Sequence, residues 1–287
     1  MLFHLFSEAI SDLSTAMWKS RYSRRAMATT EGWLASDRRT RTLQLLQERG
    51  NVLVAELREL FGVSDVTVRS DLVYLANKGL VTRTHGGATL SDRHQRELSF
   101  SARERTNAEP KRRIGVAAAQ LIANDNSIVL DASTTALQVA RAIKQRQWTE
   151  LTVVTNGVYT ALELLGVPGV TAILTGGVVR ETAVSLTGPL GEELLHKVHA
   201  TIGFFGSAGL TAQRGLMEAN LHEAQLKTAM AAASERVVAV VDHTKLGQVA
   251  LATFAAPDRI GLVITDSGAE PERLAELRDA GVDVQVV

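Results

Sequence analysis

The chain has 287 residues, of which 45% are hydrophobic and 22% charged, a globular composition with room for two domains that each hold a core. It has no cysteine, which excludes disulfides, thiol catalysis and cysteine-ligated metals and fits a reducing, cytoplasmic setting. The formal net charge is zero, yet residues 1–113 carry 19 basic and 13 acidic side chains while residues 114–287 carry 12 and 18, so a basic first part is joined to an acidic second part. That division fits a nucleic-acid reader with a separate second domain.

The apolar opening Met1-Leu2-Phe3-His4-Leu5-Phe6 lacks a basic flank and is interrupted by Glu8 and Asp12, so it does not read as a signal peptide. No stretch approaches the roughly 18 apolar residues of a membrane span, and no membrane association is expected. Residues 1–36 mix apolar side chains with Lys19, Arg21, Arg24 and Arg25 without periodicity and are expected to be a poorly ordered extension. Two alternatives stay open for them: translation that begins at Met17 or Met27, and a basic arm that touches DNA phosphates.

A first helix is expected from about Asp37 to Arg49, with Leu43 and Leu46 inward and Arg38, Arg39 and Arg41 outward. Val52-Leu53 is extended, and Val54 to Phe61 forms a second helix that Gly62 stops. Ser64 is a good N-cap for a third, its hydroxyl accepting from the N–H of Val66 or Thr67. Val68, Leu72 and Leu75 then recur at helical spacing, with Val66, Thr67, Ser70 and Tyr74 on the opposite face and Arg69 on its flank. This suits the recognition helix of a helix-turn-helix; a plain helical hairpin is the other reading of the stretch taken alone. Leu80 to His85 is β-prone, and Gly86-Gly87 offers the positive φ angles of a tight turn. Three helices followed by a hairpin describe a winged helix, with Arg83 brought toward phosphates or a minor groove.

The arrangement Val63-Ser64-x-x-Thr67-Val68-Arg69-x-Asp71-Leu72, then Leu75, Lys78-Gly79-Leu80 and Arg83-x-His85-Gly86-Gly87-Ala88, resembles the DeoR-type bacterial transcriptional regulators. Ser70 stands where that family usually has a basic or amide residue. The resemblance implies double-stranded operator DNA as a partner, with Ser64, Val66, Thr67, Arg69, Ser70, Arg83 and His85 as candidate DNA-binding residues.

Residues 91–113, with Pro110 before Lys111-Arg112-Arg113, read as a charged, partly helical linker with a solvated charge run. Beyond it strands alternate with helices. Expected strands at Ile128 to Leu130, Leu151 to Val154, Val170 to Leu174, Ile202 to Phe205, Val237 to Val241, Leu262 to Thr265 and Val282 to Val286 enclose helices at Thr135 to Lys144, Leu221 to Ala233 and from Pro271. The rhythm argues a parallel sheet covered on both faces, which binds ligands outside the carboxyl ends of its strands. The expected fold class is therefore α/β: an N-terminal winged helix-turn-helix at 37–90, the linker at 91–113, and a larger C-terminal doubly wound, mostly parallel α/β sensor domain at 114–287.

The strand ends carry Asp131, Ser133, Thr134, Thr135, Thr155, Asn156, Gly176, Gly177, Ser207, Gly209 and Asp242, a set of small hydrogen-bonding groups suited to a polar ligand. Asp131-Ala132-Ser133-Thr134-Thr135 opens a helix, where hydroxyls and free N–H groups suit a phosphate, although any helix can carry a Ser/Thr cap. The family has an Asp-x-Gly-Thr-Thr loop there, and Ser133 replaces its Gly. Glu223 and Lys227 have i, i+4 spacing, which alone reads as a surface ion pair worth roughly 0.3–0.5 kcal/mol. The loop Asp242-His243-Thr244-Lys245-Leu246-Gly247 is similar to the family's Asp-x-Ser/Thr-Lys-Phe-Gly pattern except at Leu246. The resemblance thus implies a phosphorylated sugar held by Ser133, Thr134, Thr135, Lys227 and Lys245, with Asp131 and Asn156 on hydroxyls and Gly176 and Gly177 nearby. His196-x-x-His199 reads as a surface pair, since no third ligand accompanies it, and neither metal nor cofactor is expected.

The second domain is also similar to ribose-5-phosphate isomerase, which supplies a rival reading as an isomerase fused to a DNA-binding domain. Where those isomerases carry Asp-Gly-Ala-Asp, this chain reads Phe205-Gly206-Ser207-Ala208, without the carboxylate base that aldose–ketose isomerisation needs. The expectation is a regulator, by preference a repressor, of a carbohydrate operon. It would respond to a phosphorylated sugar and act as a homodimer or homotetramer on a two-fold operator.

Overall fold

A computed structural model describes residues 33–90 and 100–287 of the chain. The expected N-terminal extension lies outside the described residues as far as residue 32. Helix α1 spans Ala35–Arg49, starting before the expected Asp37, and ends at Gly50, whose φ of 81° is left-handed. Strand β1 (Asn51–Leu53) leads to α2 (Val54–Phe61), which Gly62 closes at φ 64°. Ser64 then caps α3 (Asp65–Asn77), its hydroxyl accepting from the Thr67 N–H at 3.3 Å. The wing is β2 (Val81–Arg83) and β3 (Gly87–Leu90), and the three strands pair in the order β1-β3-β2. Val68, Leu72 and Leu75 join Leu46, Leu57 and Phe61 in one buried cluster. Each contributes about 1.5–3 kcal/mol of burial before entropy is counted.

Two expectations fail here for physical reasons. Neither Gly86 nor Gly87 has a positive φ. Gly87 is required by space instead: a Cβ there would lie 1.9 Å from the Val52 carbonyl oxygen, where β3 runs against β1. Nor do Arg38 and Arg39 point outward. Both turn onto the buried Asp71 of α3, Arg38 Nε at 2.8 Å from one carboxylate oxygen and Arg39 Nε at 2.7 Å from the other.

After α4 (Phe100–Arg105), Asn107 takes a left-handed φ of 52° and breaks the chain into α5 (Ala108–Ala119). The α/β domain then runs β4 (Ser127–Leu130), α6 (Thr134–Lys144), β5 (Leu151–Thr155), α7 (Val158–Leu164) and β6 (Val170–Leu174). A hairpin of β7 (Val178–Arg180) and β8 (Ser185–Thr187) precedes α8 (Pro189–Leu195) and β9 (Ala200–Phe205). Next come β10 (Gly209–Thr211), β11 (Gly215–Glu218), α9 (Leu221–Ala232), β12 (Ser234–Val240), β13 (Ala252–Ala255), β14 (Ile260–Thr265), α10 (Pro271–Asp279) and β15 (Val284–Val286).

Seven of these strands form one wholly parallel sheet in the order β15-β14-β12-β9-β4-β5-β6. Within each central strand successive side chains enter opposite cores. Ile128, Leu130, Phe204, Val238 and Val240 pack with α5 and α6, while Val129, Phe205, Val237, Ala239 and Val263 pack with α9. From β4 the chain steps outward through β5 and β6, then returns to β9 on the other side of β4. The order therefore reverses between β4 and β9, which opens a crevice at their carboxyl ends. Among the described residues no helix is long and apolar enough to cross a membrane.

Candidate functional site

A cavity of about 410 Å³ occupies that crevice. Its floor is the loop Ala132–Thr135 after β4 and Gly206–Ala208 after β9. Ser133 is an extended N-cap with φ −75°, and its Oγ accepts the Ala136 N–H at 3.0 Å, so the loop needs no glycine at this position. The two floor segments touch: a Cβ on Gly206 would fall 2.5 Å from the Ser133 side chain. Thr134 and Thr135 form the first turn of α6, whose unpaired N–H groups carry the positive end of the helix dipole.

Beneath the floor lies a charge network that reassigns several expected residues. Asp131 is fully buried and does not line the cavity. Its carboxylate accepts from the N–H groups of Ser133 (3.0 Å) and Gly206 (2.9 Å) and pairs with Lys227 at 2.8 Å, so it braces the floor from beneath. Lys227, only 2% exposed, also pairs with Glu218 and donates to the Gly206 carbonyl at 3.0 Å. All three of its N–H bonds are spent. Burial alone would lower its pKa, but Asp131, Glu218 and Glu223 outweigh burial and hold the ammonium above its usual range. The i, i+4 spacing of Glu223 and Lys227 therefore makes no surface pair. Glu223 is buried as well and turns to Ser185 and to Arg180 at 3.4 Å.

Asn156, Gly176 and Gly177 do not reach the cavity. The Asn156 side chain donates to the Leu186 carbonyl at 3.2 Å and its backbone carbonyl accepts the Leu186 N–H at 2.8 Å, which pins β8. Gly177, at φ 119°, lies where a Cβ would be 2.4 Å from the Thr187 carbonyl oxygen. These residues hold the β7–β8 hairpin, and the hairpin supplies Arg180 and Ala183 to the cavity wall.

Lys245 does line the cavity, from a 3-10 turn at His243–Lys245 whose cap, Asp242, accepts the Thr244 N–H at 3.1 Å. Among the described residues Lys245 has no ion-pair partner within 4.0 Å. The walls further include Arg103, Thr106, Lys111, Glu218 and Glu223, none of them expected as ligand-facing, while Ser207 of the floor is among the expected strand-end groups. Although Arg112 beside it is exposed, Lys111 in particular departs from the expected solvated charge run. It is 5% exposed, donates to the carbonyls of Arg103 (2.6 Å) and Thr106 (2.7 Å), and lies 3.8 Å from Asp242. Burial pushes its pKa down to about 8, against the pull of Asp242 and with the help of Lys245 and Arg103. Helical phase could have revealed it, since Lys111, Ile114, Gly115 and Ala118 share the buried face of α5.

In the winged helix, Ser64, Val66, Arg69 and Ser70 are exposed at the start of α3 and Thr67 is half-buried. Val66 is 76% exposed, an apolar group without a protein neighbour's cover. Arg83 and His85 are exposed at the end of β2 and in the turn beyond. His196 caps the end of α8, and among the described residues no group of three or more His, Cys, Asp and Glu side chains is placed to hold a metal.

Two family profiles match the chain: a DeoR-like helix-turn-helix domain over residues 38–94 and a DeoR C-terminal sensor domain over residues 106–267. The chain belongs to the DeoR family of transcriptional regulators. The HTH-type transcriptional regulator GolR of Listeria innocua is 36% identical to this DeoR-family chain over 250 residues, covering 87% of it and 98% of the relative. The L-fucose operon activator of Haemophilus influenzae is 34% identical, over 78% of this chain and 89% of that protein. The glycerol-3-phosphate regulon repressor of Escherichia coli K12 is 30% identical, over 85% and 96%. Among solved structures, a ribose 5-phosphate isomerase from Plasmodium falciparum superposes with a TM-score of 0.36 and 14% identity over 48% of this chain and 52% of that one, too loosely to carry an argument. The chain is thus a DNA-binding transcriptional regulator, as its relatives are named, and not one of the isomerases.

Proposed function

We propose that this DeoR-family chain represses a carbohydrate-use operon and is released from, or locked onto, its operator by a phosphorylated sugar bound in the β4/β9 cavity. The observation that carries the reading is the cavity's chemistry: among the described residues Lys245 has no ion-pair partner within 4.0 Å, and it faces a chamber floored by Ser133, Thr134, Thr135 and the N-terminus of α6. The glycerol-3-phosphate regulon repressor and the L-fucose operon activator support a sugar-linked ligand, and between them they keep both directions of control in view. On the DNA side the reading gives Ser64, Val66, Thr67, Arg69 and Ser70 to the major groove and Arg83 and His85 to phosphates or the minor groove. Val66 would meet a thymine methyl. The winged helix at 37–90, the linker and the sensor domain from 114 onward act in a homodimer or homotetramer, whose two-fold axis matches a two-fold operator in the cytoplasm.

A thermal-shift screen of the full-length protein against sugar phosphates and their unphosphorylated parents tests this. The melting temperature is expected to rise with a phosphorylated sugar and to stay put with its parent. Equal shifts from both would remove the phosphate anchor.

A further inference from the structure

We propose that Arg103, on the short helix between the two family-matched segments, contacts the bound anion, so that ligand occupancy is read by α4 and passed to α1 of the DNA-binding unit. The proposal rests on reading the cavity as an anion site, and it names the residue and the path by which that site would regulate.

Three observations carry it. First, the cavity's carboxylates are committed. Glu218 pairs with Lys227, Glu223 with Arg180 and Ser185, and Asp242 accepts from Asn107 and Thr244 with Lys111 beside it. Among the described residues this leaves Arg103 and Lys245 as cavity cations without an ion-pair partner. Second, the Nε of Arg103 is sealed from solvent and donates to nothing, and so is the Oγ of Ser207 in the floor. A buried donor without an acceptor is costly, and a planar guanidinium fork matches the geometry of a phosphate oxygen pair. Third, like charges crowd here: Lys111 feels both Arg103 and Lys245, and a dianion among the three would relieve that repulsion.

The position of α4 turns this contact into a signal. Lys111 holds the end of α4 through the carbonyls of Arg103 and Thr106, and Asn107 ties the break between α4 and α5 to Asp242 in the cavity wall. The same helix α4 packs against α1 of the winged helix. Arg103 lies in neither matched family segment, so neither domain description covers it. A ligand shifts an equilibrium only through contacts that differ between two states, and a contact made from α4 is one that changes when α4 moves.

The test uses the full-length chain with inorganic phosphate as the probe, read by thermal shift and by amide hydrogen exchange. Phosphate should slow exchange in residues 131–135, in residues 100–111 and in α1. Arg103→Ala should weaken phosphate by about tenfold or more, the usual loss for a charged hydrogen bond. Arg103→Lys should recover part of the affinity. Wild-type phosphate affinity in Arg103→Ala would overturn the proposal, as would protection confined to 131–135. Either result leaves the cavity's anion reading standing. Protection at 100–111 that stops short of α1 would overturn the transmission to the DNA-binding unit. If phosphate left the wild-type chain unchanged in both assays, the anion reading itself would fall and this inference with it. Should Arg103→Ala not fold, the exchange pattern of the wild-type protein decides alone.

Discussion

Lys227→Ala separates a lysine that builds the sensor from a lysine that serves its ligand. The ammonium is 2% exposed and bonded to Asp131, Glu218 and the Gly206 carbonyl. Removing it strands Asp131, which water does not reach, beside a carbonyl without a donor. Breaking a buried ion pair from one side costs about 3–5 kcal/mol. At about 2–4 °C per kcal/mol for a domain of this size, the melting temperature should fall by roughly 6–20 °C. Because the lysine is almost fully buried, solvent screening takes little from that figure. Scanning calorimetry of the full-length protein reads it directly. The double change Asp131→Asn with Lys227→Met should recover only part, since it removes both charges but an amide can accept only one of the two N–H bonds that the carboxylate takes from Ser133 and Gly206. A loss under about 1 kcal/mol for Lys227→Ala would mean that the ammonium is solvated, and the account of the cavity floor would be wrong.

Lys245→Ala should do the reverse, weakening a phosphorylated ligand by roughly 10- to 150-fold in calorimetric titration with no change in melting temperature. Arg83→Ala should weaken binding to all DNA sequences alike and flatten the slope of log affinity against log salt by about one unit; an unchanged slope in anisotropy titrations would take Arg83 off the DNA. Lys111 sets a pH dependence. Its folded pKa of about 8 lies below the ordinary 10.5, so between these values the unfolded chain binds more protons and this residue's contribution to stability rises with pH. A bound dianion raises that pKa again, so phosphate binding should take up a proton near pH 8.5 and weaken as the pH climbs further. Titration heats in two buffers of different ionisation enthalpy measure the uptake, and Lys111→Met with undiminished uptake would refute the assignment.

Much of this molecule was legible in its sequence, and the failures share a cause. The cap at Ser64, the stop at Gly62, the strand Val170–Leu174 and the switch-point crevice follow from periodicity and capping, which are local. Spacing on one helix, by contrast, tells only that Glu223 and Lys227 share a face. That the face is buried against β8, β11 and β13 is a tertiary fact, and it converts a surface pair into a charge network. The hairpin β7–β8 escaped because strands of three residues with Val178 and Val179 exposed have no alternation to read. Arg103 escaped because a six-residue helix shows too little of any period, whereas Lys111 could have been found from the phase of α5.

The Gly206 peptide is fastened on both sides, its N–H by Asp131 and its carbonyl by Lys227, and its Cα leaves no room for anything larger than hydrogen against Ser133. A platform so held is a fixed reference frame and not a moving part. On the proposed reading, such a floor would meet the anion alike on and off DNA and would not report which of the two states the ligand has found. Discrimination between states, and with it the sign of gene control, must be written in the walls. Exchange of wall segments between relatives is therefore the route to reversing a repressor's response, while changes to the floor would only silence it.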